Sequence, residues 1–448
     1  MKKILFASTA LVAASLFGID AAQAADPIKI SVGGFSKWWV VGASQSGDYT
    51  GALTSAKAAY PSSTAGAYAI GGTSSYNTAD VKGDNEIHFK GETALDNGLK
   101  VGVFVSLEAG GNGDQTTDPI DQSYAWVEGG FGKVMLGTLK NGAALLHVQA
   151  PDAASNWGDG GIVTGNYAVA RPAAVEGLNQ RVGFSSATNT TAIITDNKAE
   201  KITYVTPVFA GLTLGATYVP DATTEDNRGQ GTSQAQAYGV GAGYARSVGP
   251  VGVKLSGGFV HSILGQREQL FQYSSGAQLS YAGFTLGGSY QLARDAIGGS
   301  GASPTTGTGQ NGSSSVNNNP LGGATSILRA ALGSTATGYK YDYGGQGYDV
   351  GLQYATGPYA LSFAYFHSET EGLKSATGTF ADLSSYGNDT MDFYQFSGKY
   401  SLSPGIDLLT SVGYAEYKSG AYGHANEQYK DLLKNDGYYG MTGLALKF

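Results

Sequence analysis

Sixteen stretches of this chain alternate apolar and polar side chains with a period of two, and the connections between them alternate short and long without exception. Residues two apart on a strand share a face, so the pattern describes strands with an apolar medium on one side and a polar one on the other. Leu99–Ala109 is the cleanest case. Leu99, Val101, Val103, Val105 and Leu107 share one face, and Lys100, Gly102, Phe104, Ser106 and Glu108 share the other. The same rule governs Ile28–Ala43, where Ile28, Ile30 and Val32 oppose Lys29, Ser31 and Gly33, and it recurs to Tyr438–Phe448.

Seven connections are tight, among them Asp96-Asn97-Gly98, Tyr281-Ala282-Gly283 and Thr356-Gly357-Pro358, and eight are longer. Gly, Asn and Pro are the residues that such turns demand. In a closed antiparallel sheet all connections of one parity lie on one side, with short turns facing the periplasm and long loops the exterior. Count and parity together predict an all-β fold, a 16-stranded antiparallel transmembrane β-barrel with both ends of the chain on the short-turn side.

Composition agrees. Charged residues make up 14% of the chain, against about 25% in soluble domains. Beyond the first twenty residues no stretch approaches 18 uninterrupted apolar residues, which rules out a helical membrane bundle. A barrel wall needs an apolar side chain at every second residue only, and so reconciles the two facts. Lys2 and Lys3, the apolar run Ile4 to Ile19 and the small-residue pattern Ala22-Gln23-Ala24 have the order of a secretory leader. The expected division is therefore a signal peptide at 1–24 and a barrel domain at 25–448.

Losing Lys2, Lys3 and Asp20 with the leader takes the formal charge from −8 to −9, a sign that opposes nucleic-acid binding. There is no Cys for a disulfide or a thiolate site. Ser, His and Asp are plentiful, yet no spacing couples them into a nucleophile and base, and neither a His-Glu-x-x-His motif nor a phosphate-binding Gly loop occurs. An enzyme is not expected and no cofactor is implied. Asp114, Asp118 and Asp121 lack the ligand spacing of a calcium loop and read as solvated charge.

Sixteen strands leave a lumen too wide for side chains to fill, so the interior should be wet. The inferred inner face is rich in Gly, Ser, Thr, Gln and Lys. Tyr290, Tyr365 and Tyr414 fall near long-loop ends, and Phe284, Tyr359 and Phe448 near short-turn ends, as two interfacial belts would. Parity turns Lys29, Lys37, His88, Lys90, Lys100 and Lys133 inward, with Glu86, Glu92 and Glu108.

The segment Phe131-Gly132-Lys133-Val134-Met135-Leu136-Gly137 resembles the motif before the constriction loop of general bacterial porins. Lys201 to Gly211 is similar to the strand and turn that follow that loop, and Leu444-Ala445-Leu446-Lys447-Phe448 to the family's terminal strand. The resemblance spans essentially the whole mature chain. It implies a passive outer-membrane diffusion channel for ions and small hydrophilic solutes, a homotrimer in contact with outer-membrane lipids and lipopolysaccharide. It also implies an inward-folded constriction loop between Lys140 and Ala199, with a short helix within Asn141 to Val148.

On that loop the acidic candidates for the constriction are Asp152, Asp159 and Glu176; across from them the best basic candidates are Lys37, Lys90 and Lys133, with His88 as a further lining residue. The chain departs from the family in carrying Asp121 and Thr138 where related porins often carry Arg, so the basic half is thin and weak cation preference is expected. Two alternatives stand beside the general pore. One is a channel selective for sugars or organic acids, using an aromatic track with Trp39 and Phe104. The other is a surface structural or adhesin barrel displaying the long loops near Ser44 and Gly298.

Overall fold

A computed structural model of the chain describes residues 27–59, 77–110, 120–154, 168–172, 175, 190–194, 199–221, 235–264, 268–297, 338–340, 344–371, 374–377, 387–425 and 427–448. Among them, sixteen strands close into one antiparallel barrel. They are β1 Lys29–Ala43, β2 Ala79–Ala94, β3 Lys100–Glu108, β4 Ile120–Gly129, β5 Gly132–Thr138, β6 Glu200–Val205, β7 Leu212–Val219 and β8 Ala235–Val248. There follow β9 Val251–Leu264, β10 Glu268–Tyr281, β11 Phe284–Ile297, β13 Gly345–Thr356, β14 Tyr359–Glu371, β16 Asn388–Ser403, β17 Ile406–Lys418 and β18 Lys434–Lys447.

Each strand pairs with its neighbours in sequence, and β1 pairs with β18 to close the ring. At that seam Trp39 lies opposite Gly443, and Gly34 and Phe448 exchange backbone hydrogen bonds at 3.0 and 3.2 Å. Every expected strand is present. The largest shifts at a strand start are in β2, which begins at Ala79 rather than near Gly83, and in β18, which begins at Lys434 rather than near Tyr438. Period-two reading overlooked the helix Gly47–Ala59 and a separate pair of short strands, β12 Gly338–Lys340 and β15 Lys374–Thr377, because Ala-, Gly- and Ser-rich segments carry no periodic apolar signal.

The outward face is apolar and uncovered, as a lipid-facing wall must be: Val103 is 44% exposed and Val412 51%. Aromatic rings band it at two heights. Toward the long loops Tyr348, Tyr365, Tyr394, Tyr414 and Tyr438 form a chain of neighbouring rings. Toward the short turns Phe284 packs on Tyr354 and Tyr359 on Tyr400. The turns are as tight as the sequence demands. Ala282 (φ 49°) and Gly283 (φ 86°) make a two-residue hairpin in which both residues are left-handed.

The packed interior is not a central core. Its largest cluster joins Trp39, Val41, Phe366, Phe393 and Tyr417 of the inner wall to Ala150, Val169 and Val175 from the long segment between β5 and β6. Trp39 is 2% exposed there, which overturns its expected place in a solute track. The ring is apolar mass that the inward loop covers.

Candidate functional site

The segment leaving β5 turns into the barrel and lies along the wall. Its first turn is the helix Gly142–Leu145, within the span expected, capped by Asn141, whose side-chain oxygen accepts from Ala144 N at 2.9 Å. The other end of that amide donates to Ile193 O at 2.9 Å, fastening the outgoing limb to the returning one.

The wall beneath is surfaced with glycine. Gly215 of β7 faces Gly241 of β8, Gly241 faces Gly258 of β9, and Gly276, Gly287 and Gly351 continue the row over β10, β11 and β13. A Cβ on Gly241 would stand 2.8 Å from Ala143 Cα, and one on Gly351 2.7 Å from Pro151 O; at Gly276 it would collide with the Val148 carbonyl. Glycine is required here because one backbone rests directly on another.

Polar wall residues beside the row take up the loop's amides. Val148 N donates to Ser256 Oγ (2.9 Å), Ala150 N to Asp349 Oδ1 (2.8 Å) and Ala153 N to Ser362 Oγ (2.8 Å), while Gln278 donates to Gln149 O (2.7 Å). Without such partners the buried backbone groups would each cost about 1–3 kcal/mol.

Farther along, Gln45 mimics a strand edge. Its amide donates to Ala168 O and accepts from Ala170 N, both at 2.9 Å. Buried Asn435 of β18 donates to Ala170 O at 2.7 Å and to Gln45 Oε1 at 2.9 Å. The described loop residues thus touch the wall from β6 round through β16, β17 and β18 to β1.

Two loop residues titrate abnormally. Asp152 is 7% exposed and accepts from Gln395 (2.7 Å), Ser362 (3.1 Å) and Ala154 N (3.2 Å). Burial outweighs those hydrogen bonds and pushes its carboxyl up to about 6. The side chain therefore sits against the wall, bonded to β14 and β16. His147 donates or accepts at Thr191 Oγ1 (2.9 Å), and its other ring nitrogen is buried without a hydrogen bond. Burial holds it down at about 4. Asp159 and Glu176 lie outside the described residues.

The basic candidates stand on the inner face of β1 (Lys37), β2 (His88 and Lys90) and β5 (Lys133), and each has an acidic neighbour. Lys37 meets Asp84 at 2.7 Å, Lys90 meets Glu92 at 2.7 Å, and Lys133 lies 3.8 Å from Glu128 and over the Trp126 ring. His88 contacts Glu86 at 2.7 Å. The carboxylates of Glu86, Glu108 and Asp121 gather within 4.8 Å of one another. Sequence reading placed Glu86 and Glu108 inward but did not foresee this convergence, since a bulge between β3 and β4 turns Asp121 toward them. Ser106, expected to face water, is fully buried and donates to Asp121 at 3.3 Å. It keeps its inward parity.

No curated protein matches the sequence. The fold is similar to that of an anion-selective porin from Comamonas acidovorans, with 13% identity over 94% of this chain and 100% of that one and a TM-score of 0.51. It is also similar to a loop-deletion mutant of OmpT, an outer membrane protein of Vibrio cholerae, with 10% identity over 94% and 100% of the two chains and a TM-score of 0.52. The family described as Gram-negative porin matches residues 7–420. A closed sixteen-stranded wall, a loop laid inside it and that match agree: the chain belongs to the Gram-negative porin family and is an outer-membrane β-barrel.

Proposed function

We propose that this barrel is a general diffusion pore for ions and small hydrophilic solutes, exported by a leader removed after Ala24 and weakly cation-preferring. The observation that carries the reading is the division of the inner wall. The described part of the loop covers the glycine-rich side, and the polar inner face of β1 to β5, on which Phe35, His88, Phe104 and Tyr124 are partly exposed, is proposed to line a hydrated passage. On that face the lysines are matched by acids, while Glu86, Glu108 and Asp121 converge. A field of that sign favours cations, the reverse of the Comamonas porin. Asp159 and Glu176 are proposed to add to it from the loop.

Purified protein in a planar bilayer should give ohmic steps with a reversal potential showing preference for K⁺ over Cl⁻. Liposomes should swell with neutral sugars at rates falling smoothly with size. Preference for Cl⁻ would reverse the charge assignment, and the absence of conductance would favour a purely structural barrel.

A trimer is proposed from the outer surface. The paired rings of both belts described above lie between β11 and β18, whereas the outward faces of β1 to β5 present mainly aliphatic residues such as Val40, Val81, Val103 and Leu136, with Trp38 and Phe89 among them. Interfacial rings mark a boundary with lipid headgroups. A largely aliphatic sector fits contact with a second copy, and gentle-detergent mass measurement giving only monomers would overturn this.

A further inference from the structure

The inner face of β1 to β4 carries more than paired charge. Phe35 of β1, His88 of β2, Phe104 of β3 and Tyr124 of β4 form an unbroken ring series across four adjacent strands. Centroid separations are 5.9 Å from Phe35 to His88, 5.4 Å from His88 to Phe104 and 5.4 Å from Phe104 to Tyr124. Period-two parity turns all of them to the lumen, and each is partly exposed. Elsewhere the rings of the inner wall, Trp39, Phe366, Phe393 and Tyr417, are sealed beneath the loop or its contacts. The series is therefore the aromatic surface that a solute passing along β1 to β4 meets.

Its surroundings specify what it would hold. Glu86 touches the His88 ring at 2.7 Å and belongs to the carboxylate group with Glu108 and Asp121. On β3, which runs from its short turn at Lys100 to Glu108, that group lies toward the long-loop end relative to Phe104. A solute entering from outside reaches the carboxylates first and the rings next. Lysines already lie over the two flanking rings, Lys37 at 4.2 Å from the Phe35 centroid and Lys133 at 4.2 Å from that of Trp126. The wall thus uses cation–ring contact internally at both ends of the series and leaves Phe104 and Tyr124 between them.

The geometry points to a weak binding site for aromatic organic cations on the inner wall of β1 to β4, built from the Phe35–His88–Phe104–Tyr124 ring series with the adjoining carboxylates. A ring on the solute stacks on Phe104 and Tyr124 while its ammonium group faces the carboxylates or a ring face, two attractions that reinforce each other where water is partly displaced. A sugar gains only the first of these and an inorganic cation only the second. The site deepens the diffusion-pore reading and rests on it: solutes still pass unaided, and one class lingers.

The test is block of single-pore current by externally added benzyltrimethylammonium, compared with tetramethylammonium, which lacks the ring, and benzyl alcohol, which lacks the charge. Benzyltrimethylammonium should interrupt the current in the millimolar range, at concentrations about tenfold below those at which either control acts. Phe104→Leu and, independently, Tyr124→Leu should each raise its half-blocking concentration about five- to tenfold, read against each variant's own open current. Equal block by tetramethylammonium and benzyltrimethylammonium would overturn the site, as would potency unchanged in both variants. Loss of the site alone leaves the conductance steps intact and removes only the selective block. Absence of steps would overturn the pore itself and the site with it.

Discussion

Asp152 and His147 should make docking of the constriction loop respond to acid in opposite directions, so that removing either exposes the other. The Asp152 carboxyl is pushed up from 3.8 to about 6. Above that value it is ionised whether the loop is docked or free. As pH falls through 6 toward 4 the docked form takes up a proton that the free form does not, so acid strengthens docking. His147 is held down from 6.5 to about 4. As pH falls through 6.5 the free form binds a proton that the docked ring refuses, so acid weakens docking. Shifts of this size correspond to about 3 kcal/mol each when fully developed, and to about 2 kcal/mol each between pH 7 and 4.5. These two contributions should then nearly cancel over that range.

Asp152→Asn keeps a side chain of the same shape and leaves the histidine uncompensated. Its loop should be about 2 kcal/mol less firmly docked at pH 4.5 than at pH 7, while His147→Gln should be firmer in acid by a similar amount. Hydrogen exchange at the amides of Ala150, Ala153 and Ala154, which bond to Asp349, Ser362 and Asp152, reads the docking directly once intrinsic rates are divided out. Comparing each variant with the parent cancels any response they share. Slopes of the same sign in the two variants, or none in Asp152→Asn, would refute the reasoning.

Three further substitutions probe the wall. Gly276→Val should lift the loop, because a Cβ there meets the Val148 carbonyl; overpacking of about 1–3 kcal/mol should appear as faster exchange at Ala150 and a changed pore conductance. Ala282→Gly should stabilise the barrel against heat or urea by up to about 1 kcal/mol, since alanine holds φ 49° in that turn at a steric cost glycine avoids. Val103→Arg should cost about 2–4 kcal/mol of membrane folding if Val103 lies near the midplane. Unchanged folding of Val103→Arg would contradict the outward parity of β3.

The strands and turns were legible because their causes are local. A wall between lipid and water imposes period two on each strand separately, and a hairpin such as Tyr281 to Phe284 declares itself within a few residues. What joins distant strands was not legible. Gly215, Gly241, Gly258 and Gly276 look like ordinary barrel glycines until the register aligns them under one loop. Lys37 was placed inward by parity, but its pairing with Asp84 depends on the register between β1 and β2, which neither strand carries alone. Trp39 had the right parity for the lumen, but parity says nothing of what lies on top. Asp152 was correctly assigned to the inward loop, yet its side chain turns to Gln395 and Ser362, partners more than two hundred residues away.

The amide knot of Gln45, Asn435 and Ala170 bears on how the protein comes apart. Gln45 follows β1 and Asn435 belongs to β18, so the two strands that seal the cylinder are clasped by the same side chains that hold the loop. Opening the seam releases the loop at that point, and pulling the loop away removes a fastening from the seam. In kinetic terms, contacts across the seam join residues nearly four hundred positions apart and should form late, after local hairpins. A chain whose constriction is not yet in place is then a chain whose ring is not fully latched. Assembly and narrowing are therefore one cooperative event, and a wide, unconstricted but sealed barrel should be a poorly populated state at every stage of folding.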